Sequence, residues 1–167
     1  MKLISKMILM LVLFFLSGCG YHLRGSLDMP ESLKNVYVTG ASAVFQTEMA
    51  AMMKASKGKL ASNSSEAGIV VKISKEDMHI RVLSIGTTGK STESELDYYL
   101  RFQFFDKKDN PLMEEQTIEL AREFFNDQTA ILAKTGEEQL IRSEIYKQAA
   151  RMLMARAKVA IESTKKE

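Results

Sequence analysis

Alternating apolar and polar positions run through the middle of the chain and predict β-strands. From Glu95 to Asp106 every second residue is apolar, which is the period of a strand with one buried face. Thr117–Phe125 alternates in the same way, and Ile69–Ile85 is a long strand-like stretch. A short β-rich run, Asn35–Thr39, adds a fourth strand, and residues 107–111 contain the turn-forming sequence KKDNP.

A first amphipathic helix is predicted between the first two strands. In Ala43–Ser56 the large apolar residues recur three and four positions apart, which places them on one face of a helix. Ser42 is a plausible N-cap, and Gly58 follows the expected end. Residues 61–68, ASNSSEAG, are expected to form a polar linker.

A second helix is predicted in the C-terminal part. Thr135 and Glu138 have the spacing of a capping box, and the helix should then run to about Ser163. An apolar stripe with helical spacing supports this prediction. Its members are Ile141, Ile145, Ala149, Met152, Leu153, Ala157 and Ala160.

The order of elements is therefore β-α-β-β-β-α, which predicts an α+β fold of two layers. Two helices pack on one face of a roughly four-stranded sheet, and the last three strands form a meander. The predicted organisation is a tether at residues 19–34, one domain at 35–163 and a charged end at 164–167.

The N-terminal segment has the pattern of an export signal. Lys2 and Lys6 precede the uncharged apolar run Met7–Leu16, and small residues follow it. A membrane-spanning helix is the rival interpretation, but spanning takes roughly 20 apolar residues, about twice the length of this run. We therefore expect residues 1–18 to be a signal peptide that is removed.

Cys19 is the single cysteine of the chain and lies where that signal would end. Leu16-Ser17-Gly18-Cys19 resembles a bacterial lipobox, which implies S-diacylglycerol on the thiol and an acyl chain such as palmitate on the new N-terminus. A free thiol after an ordinary signal is the alternative. Several acyl chains would anchor the protein durably. Gly20 stands where an Asp often signals inner-membrane retention, which favours the outer membrane.

Charge offers no support for a nucleic-acid partner. Lys2 and Lys6 lie in the expected signal, so the 23 basic residues of the whole chain fall to 21, equal to the 21 acidic residues. A near-neutral mature chain lacks the basic surplus that nucleic acid requires.

Candidate chemistry is sparse, and we expect neither an enzyme nor a cofactor. Residues 86–92, GTTGKST, resemble a phosphate-binding loop, but Ser84 stands where the first glycine should be, and a strand follows instead of a helix. The segment is better interpreted as a hairpin loop. His22 and His79 lie far apart without a cysteine or carboxylate pattern, which makes a zinc site unlikely on sequence grounds.

Two segments resemble one family, the lipopolysaccharide-assembly lipoproteins LptE, also called RlpB. CGYHLRG at residues 19–25 resembles the start of its mature members, which begin with cysteine, glycine, an aromatic residue and HLR. Residues 123–157 resemble the C-terminal block: a strand ending in paired aromatics, a turn like A-L-A-K, an acidic cap and a helix. The middle of the chain is a weaker match.

The resemblance implies a non-catalytic function in the outer membrane. Members of the family plug the wide β-barrel LptD in a 1:1 complex, help it to assemble and bind lipopolysaccharide through basic residues. By the motif, Lys134 is the first candidate for lipopolysaccharide binding. A second basic group is expected around the hairpin loop, where Lys90 is the candidate; the alternative for each is a solvated lysine beside a turn. The alternative function is a stand-alone outer-membrane lipoprotein that binds a lipid or another envelope protein.

Overall fold

Five strands and two α-helices make up the computed structural model of this protein. The structure describes residues 29–87, 89–125 and 131–164, and within the last segment it describes the side chains of residues 136–163. The elements are β1 (Asn35–Thr39), α1 (Ala43–Ala55), β2 (Lys59–Leu60), β3 (Ile69–Ile85), β4 (Ser91–Phe105), β5 (Gln116–Phe125) and α2 (Ile131–Thr164).

The strands form one mixed sheet in the order β2-β1-β3-β4-β5. β1 pairs in parallel with β2 and with β3, whereas β3, β4 and β5 are successive antiparallel neighbours. The predicted α+β fold and its meander are therefore confirmed. β2 is the strand that was not predicted, and its two residues are too few to give a periodic signal in the sequence.

The two faces of the sheet differ in what covers them. Alternate residues of β4 point towards the helices and are fully buried, because successive side chains of a strand point to opposite faces. They are Ser94, Leu96, Tyr98, Leu100, Phe102 and Phe104. We call this side the helix face and the opposite, uncovered side the open face.

α2 closes the core over the helix face. Its buried positions follow the predicted stripe, with Ile145, Ala149 and Leu153 at most 1% exposed. The helix runs antiparallel to β5, since Gln148 accepts a hydrogen bond from Arg122 while Arg156, two turns later, donates to the carbonyl of Thr117. α2 therefore returns along the sheet from the end of β5 towards its start.

The N-terminal end of α2 differs from the prediction. The helix begins at Ile131, so the expected capping box at Thr135 and Glu138 is wrong, because both residues lie inside the helix. The physical reason is propensity: leucine, alanine and lysine precede Thr135 and are good helix formers, so the helix extends beyond the expected cap. Glu138 instead forms an ion pair of 2.8 Å with Arg142, one turn later.

Packing begins before the expected domain boundary at Asn35. Leu33 lies in a short 3₁₀ helix and is 1% exposed within the core, and Met29 packs against the same core. The expected polar linker at residues 61–68 also contributes packing, because Ala61 and Ala67 are buried against Val70 on the sheet. The apolar residues of these two segments lie between polar neighbours, so the polar composition of the segments concealed their contribution to packing.

Candidate functional site

The loop between β3 and β4 is a hairpin turn, as predicted. The backbone N–H of Gly86 donates to the carbonyl of Lys90 at 2.8 Å, and Gly89 N–H donates to the carbonyl of Gly86 at 2.9 Å. Gly89 has a φ of +76°, a conformation that glycine adopts without strain. A strand continues directly from Ser91, so the loop lacks the helix N-terminus of a phosphate-binding loop.

Lys90 lies in this turn and its side chain is exposed. Among the residues that the structure describes, its ammonium group has no ion-pair partner. A lysine in this setting is available to an anionic group from outside the chain. The same setting suits a merely solvated lysine, so exposure alone does not assign it a function.

Lys134 lies in the first turn of α2, not in the turn before it. Its side chain is outside the described residues, but the path of α2 locates its backbone in the molecule. Arg142 reaches the sulfur of Met78 on β3 at 3.0 Å, and Lys134 lies eight residues before it. At 1.5 Å per residue, this is about 12 Å further along the helix, away from Arg156 and Thr117.

Both candidate lysines therefore belong to the same end of the molecule. We call this the distal end: the β3–β4 turn, the end of β5 and the start of α2. Phe125, the last residue of β5, pairs in register with Glu93 beside that turn, and its ring is 72% exposed. Lys90 and the backbone of Lys134 are gathered here, although the structure describes no contact between them.

The chain enters at the opposite, proximal end, which contains the β4–β5 turn and Met29. Cys19 is outside the described residues, and nine residues separate it from Met29. The 17 residues of β3 connect the two ends, which at about 3.3 Å per residue is a length of roughly 55 Å.

The distal half of the open face is acidic. Arg81 pairs with Glu95 and, at 3.3 Å, with Asp97, while His79 lies between Asp77 and Asp97 at 3.3 and 3.6 Å. Arg81 is the only arginine or lysine in the set of residues that forms this surface, and the set also contains six carboxylates. The full set is Asp77, His79, Arg81, Glu93, Glu95, Asp97, Glu119 and Glu123. Sequence reasoning missed this surface, although carboxylates at alternate positions 93, 95 and 97 were a visible signal.

The middle of the open face is a cluster of cations around Tyr99. Arg101 donates to the Tyr99 hydroxyl at 2.6 Å, and the ammonium of Lys75 lies 5.1 Å from the centre of the ring. Hydrogen bonding by Thr117, and then by Arg101, lowers the pKa of Tyr99 below its ordinary value.

Several clefts open on the surface of the described residues. One, of about 420 Å³, lies beside the start of α1 and is lined in part by Ser42, Glu76 and Tyr146. The Glu76 carboxylate accepts hydrogen bonds from the backbone and hydroxyl of Ser42, at 2.6 and 2.7 Å, so its role there is structural. No group of three or more histidines, cysteines and carboxylates in the described part of the chain could hold a metal ion.

Tyr98 lies beneath this cleft and is buried in the core. Burial, followed by the nearby Glu76 charge, raises its pKa far above the ordinary value. Its hydroxyl has no hydrogen-bond partner among the described residues. A phenol held neutral in this way cannot serve as a base at ordinary pH.

None of the helices described is long and apolar enough to cross a membrane.

Solved structures share this fold. The solution structure of uncharacterized lipoprotein B from Nitrosomonas europaea superposes with a TM-score of 0.67 at 23% identity, covering 86% of this chain and 93% of that one. Rare lipoprotein B from Shewanella oneidensis gives a TM-score of 0.62 at 19% identity, with coverage of 80% and 98%. At these identities the likeness concerns the fold alone.

Sequence comparison identifies the family. The chain is 26% identical over 155 residues to the LPS-assembly lipoprotein LptE of Photorhabdus laumondii, covering 90% of this chain and 83% of that protein. It is 27% identical over 160 residues to the same-named protein of Pectobacterium atrosepticum, with 89% and 81% covered. The family model "LptE: Lipopolysaccharide-assembly" matches residues 33–157, which include the five strands, α1 and most of α2. The chain therefore belongs to the LptE family of lipopolysaccharide-assembly lipoproteins, which is not a family of enzymes.

Proposed function

We propose that this protein is an outer-membrane lipoprotein, anchored through lipid on Cys19, that fills an LptD-type β-barrel and contacts lipopolysaccharide there. The family match over residues 33–157 carries the proposal. The barrel and its plug form a 1:1 complex, which helps the barrel to assemble and delivers lipopolysaccharide to the outer leaflet. The protein itself performs no covalent chemistry in this function.

The shape of the domain supports a role inside a barrel. Outer-membrane barrels have an apolar band about 25 Å tall, and a large barrel leaves a polar lumen that must be filled. The sheet is roughly 55 Å from end to end on the estimate for β3, so a domain anchored at its proximal end would reach beyond that band. Its open face carries charged side chains, as contact with a polar lumen requires.

Capture under gentle extraction tests the barrel partner. The full chain, tagged at its C-terminus, should co-purify in equal amounts with a large outer-membrane barrel of the LptD type, identified by mass spectrometry. The matched control is Cys19→Ser, which removes the thiol that carries the lipid and should sharply reduce recovery from the outer-membrane fraction, because no acyl anchor is formed. Recovery of the intact, membrane-bound chain as a lone species would support the stand-alone lipoprotein and contradict the plug.

Charge reversal tests the two candidate lysines separately. Lipid A phosphates favour basic groups, so Lys134→Glu should weaken binding of purified lipopolysaccharide several-fold, and Lys90→Glu should weaken it less. Lys158→Glu on the exposed side of α2 near the proximal end is the control, with the same change of charge and no expected effect. Equal affinities for all three variants, at unchanged melting temperature, would remove both distal lysines from the proposal while leaving the barrel partner untouched.

A further inference from the structure

β3 is paired on both sides for only part of its length. β1 pairs with Ile69–Lys72 alone, whereas β4 continues alongside β3 to Ile85. The pairing with β1 ends because the chain turns away at Gly40, whose φ is +81°. A side chain at this glycine would place its Cβ 2.2 Å from the carbonyl oxygen of Ile73, so the turn is held close against the strand.

The next residues of this edge are covered by the start of α1. Ser42 binds the Glu76 carboxylate through both its backbone N–H and its hydroxyl. Beyond Glu76, the described residues supply no second neighbouring strand and no other backbone hydrogen bond to β3. Within the described part of the chain, the backbone groups of Asp77–Ile85 that point away from β4 therefore form an open sheet edge.

Exposure supports this description independently. His79–Leu83 are five consecutive exposed residues, although their side chains point alternately to the two faces. The opposite residues on β4 include Leu96 and Ser94, which are 0% and 4% exposed. The same section of the sheet is thus buried at β4 and exposed at β3, as expected at a free edge.

The devices that usually protect an edge are weak along this stretch. Irregular pairing occurs between Ile73 and Lys75 and again after Val82, but Lys75–Val82 pairs residue by residue with β4. This interval is a regular strand, and it exposes Ile80 by 43% and Val82 by 52%. A regular, partly apolar edge is a template for another strand.

From this edge we propose that Asp77–Val82 is a docking site for an extended segment of a partner protein, which adds a strand beside β3 with alternating apolar and basic residues. Main-chain hydrogen bonds would supply the affinity, and side chains on the two faces would supply the specificity. This inference concerns a second surface and does not require the barrel partner.

The surroundings of the edge determine the chemistry of that segment. On the helix face its neighbours would be Met78, Ile80 and Val82, which favour apolar residues. On the open face they would be Asp77 and the pair of Arg81 with Glu95 and Asp97. Three carboxylates and one guanidinium leave an excess of two negative charges among these four groups. Basic residues on that side complement this excess.

A synthetic peptide provides the probe. The acetylated, amidated heptapeptide KVKVKVK should bind the full mature chain and slow amide hydrogen exchange within Asp77–Val82. The peptide EVEVEVE keeps the alternation but reverses the charge, and KKKKVVV keeps the composition but removes the alternation. Both should bind at least tenfold more weakly, as measured by fluorescence anisotropy of labelled peptides.

Matched variants locate the site on the protein. Val82→Lys should weaken KVKVKVK binding at least fivefold, because it adds a cation and removes an apolar neighbour at the edge. Val159→Lys is the control, since it makes the same change at a valine on α2 that is 59% exposed and distant from the edge. The affinity of this variant for KVKVKVK should stay within twofold of that of the unsubstituted protein. Both sites are exposed already, so both variants should fold.

Three results would overturn the proposal. The first is equal binding by Val82→Lys and Val159→Lys, or equal binding of the basic and acidic peptides. The second is protection, in the protein alone at low concentration, of the Asp77–Val82 amides that point away from β4, which would mean that the chain covers its own edge. The third is protection that appears only as protein concentration rises, which would make a second copy the occupant.

Discussion

Ser42 connects the start of α1 to β3, and its replacement by alanine offers a quantitative test of that junction. The Ser42 hydroxyl accepts a hydrogen bond from Phe45 N–H at 3.2 Å and donates one to Glu76 at 2.7 Å. Losing an N-cap costs about 1 kcal/mol. A hydrogen bond to a charged group contributes about 1.5–3 kcal/mol, which exposure at this site reduces to roughly 0.5–1 kcal/mol. Ser42→Ala should therefore lower the free energy of unfolding by about 1.5–2 kcal/mol.

Urea and thermal unfolding of the mature domain measure this loss. For a domain of this size, 1 kcal/mol shifts the melting temperature by about 2–4 °C, so a decrease of about 3–8 °C is expected. Thr47→Ala is the matched control: it also deletes an exposed hydroxyl on α1, which bonds only to the carbonyl of Ala43 one turn earlier. That change should stay within about 0.5 kcal/mol.

A double-mutant cycle separates the two roles of the serine. Ser42→Ala and Glu76→Gln should be coupled by about 0.5–1 kcal/mol, because they share one hydrogen bond, while the capping contribution should remain additive. A total loss below 0.5 kcal/mol for Ser42→Ala would refute the capping argument. Strict additivity of the two substitutions would refute the connection between α1 and β3.

Three further substitutions test the turns and the core. Gly40→Ala should cost more than about 2 kcal/mol in urea unfolding, because φ is +81° and the added Cβ would meet a backbone carbonyl of β3; a loss under 1 kcal/mol would contradict this geometry. Hydrogen bonds from Asn110, its side chain first, hold the pKa of Asp106 below the ordinary 3.8, so this carboxylate contributes stability above about pH 4 that is lost as pH falls through its lower folded-state pKa. Asp106→Asn should flatten that acid limb in pH-dependent melting, and an unchanged limb would exclude this cause. Leu153→Ala in the core should cost about 2–5 kcal/mol, whereas Val159→Ala on the same helix should change stability by less than about 0.5 kcal/mol; similar losses would mean that α2 does not bury the predicted stripe.

Elements with one buried and one exposed face were predictable from the sequence. β4 alternates from Ser94 onward because its helix face is buried and its open face is polar, although the strand begins at Ser91, before the predicted Glu95. The bounds of β1 and β3 match the predicted ones. Ser42 was identifiable as an N-cap because its hydroxyl meets the first turn of α1 directly. In these cases, local sequence and tertiary burial favour the same structure.

The remaining features depend on competition between local structural preferences, or on contacts between residues that are distant in the sequence. The segment before Thr135 could form a turn or a helix, and helix propensity decided in favour of α2. β2 and the 3₁₀ helix containing Leu33 are too short to show a period. The free edge of β3 depends on where β1 leaves the sheet, which no periodicity within β3 can reveal.

The candidate site shows the same division. The glycines around Lys90 predicted a hairpin turn, and the structure contains one at that position. The motif around Lys134 identified a basic residue but assigned it to a turn instead of a helix. That both residues lie at one end of the molecule follows only from the antiparallel course of α2 along β5.

The path of α2 also sets the order in which the domain can assemble. β3, β4 and β5 are contiguous hairpins, so their pairing closes short loops and can form early. Their helix face includes Leu96, Leu100 and Phe104, which are fully covered only in the finished fold. α2 is the last element along the chain to contribute to this cover. An emerging chain therefore presents a paired but half-uncovered sheet until α2 docks, and this interval is when it is most exposed to aggregation and most in need of a chaperone.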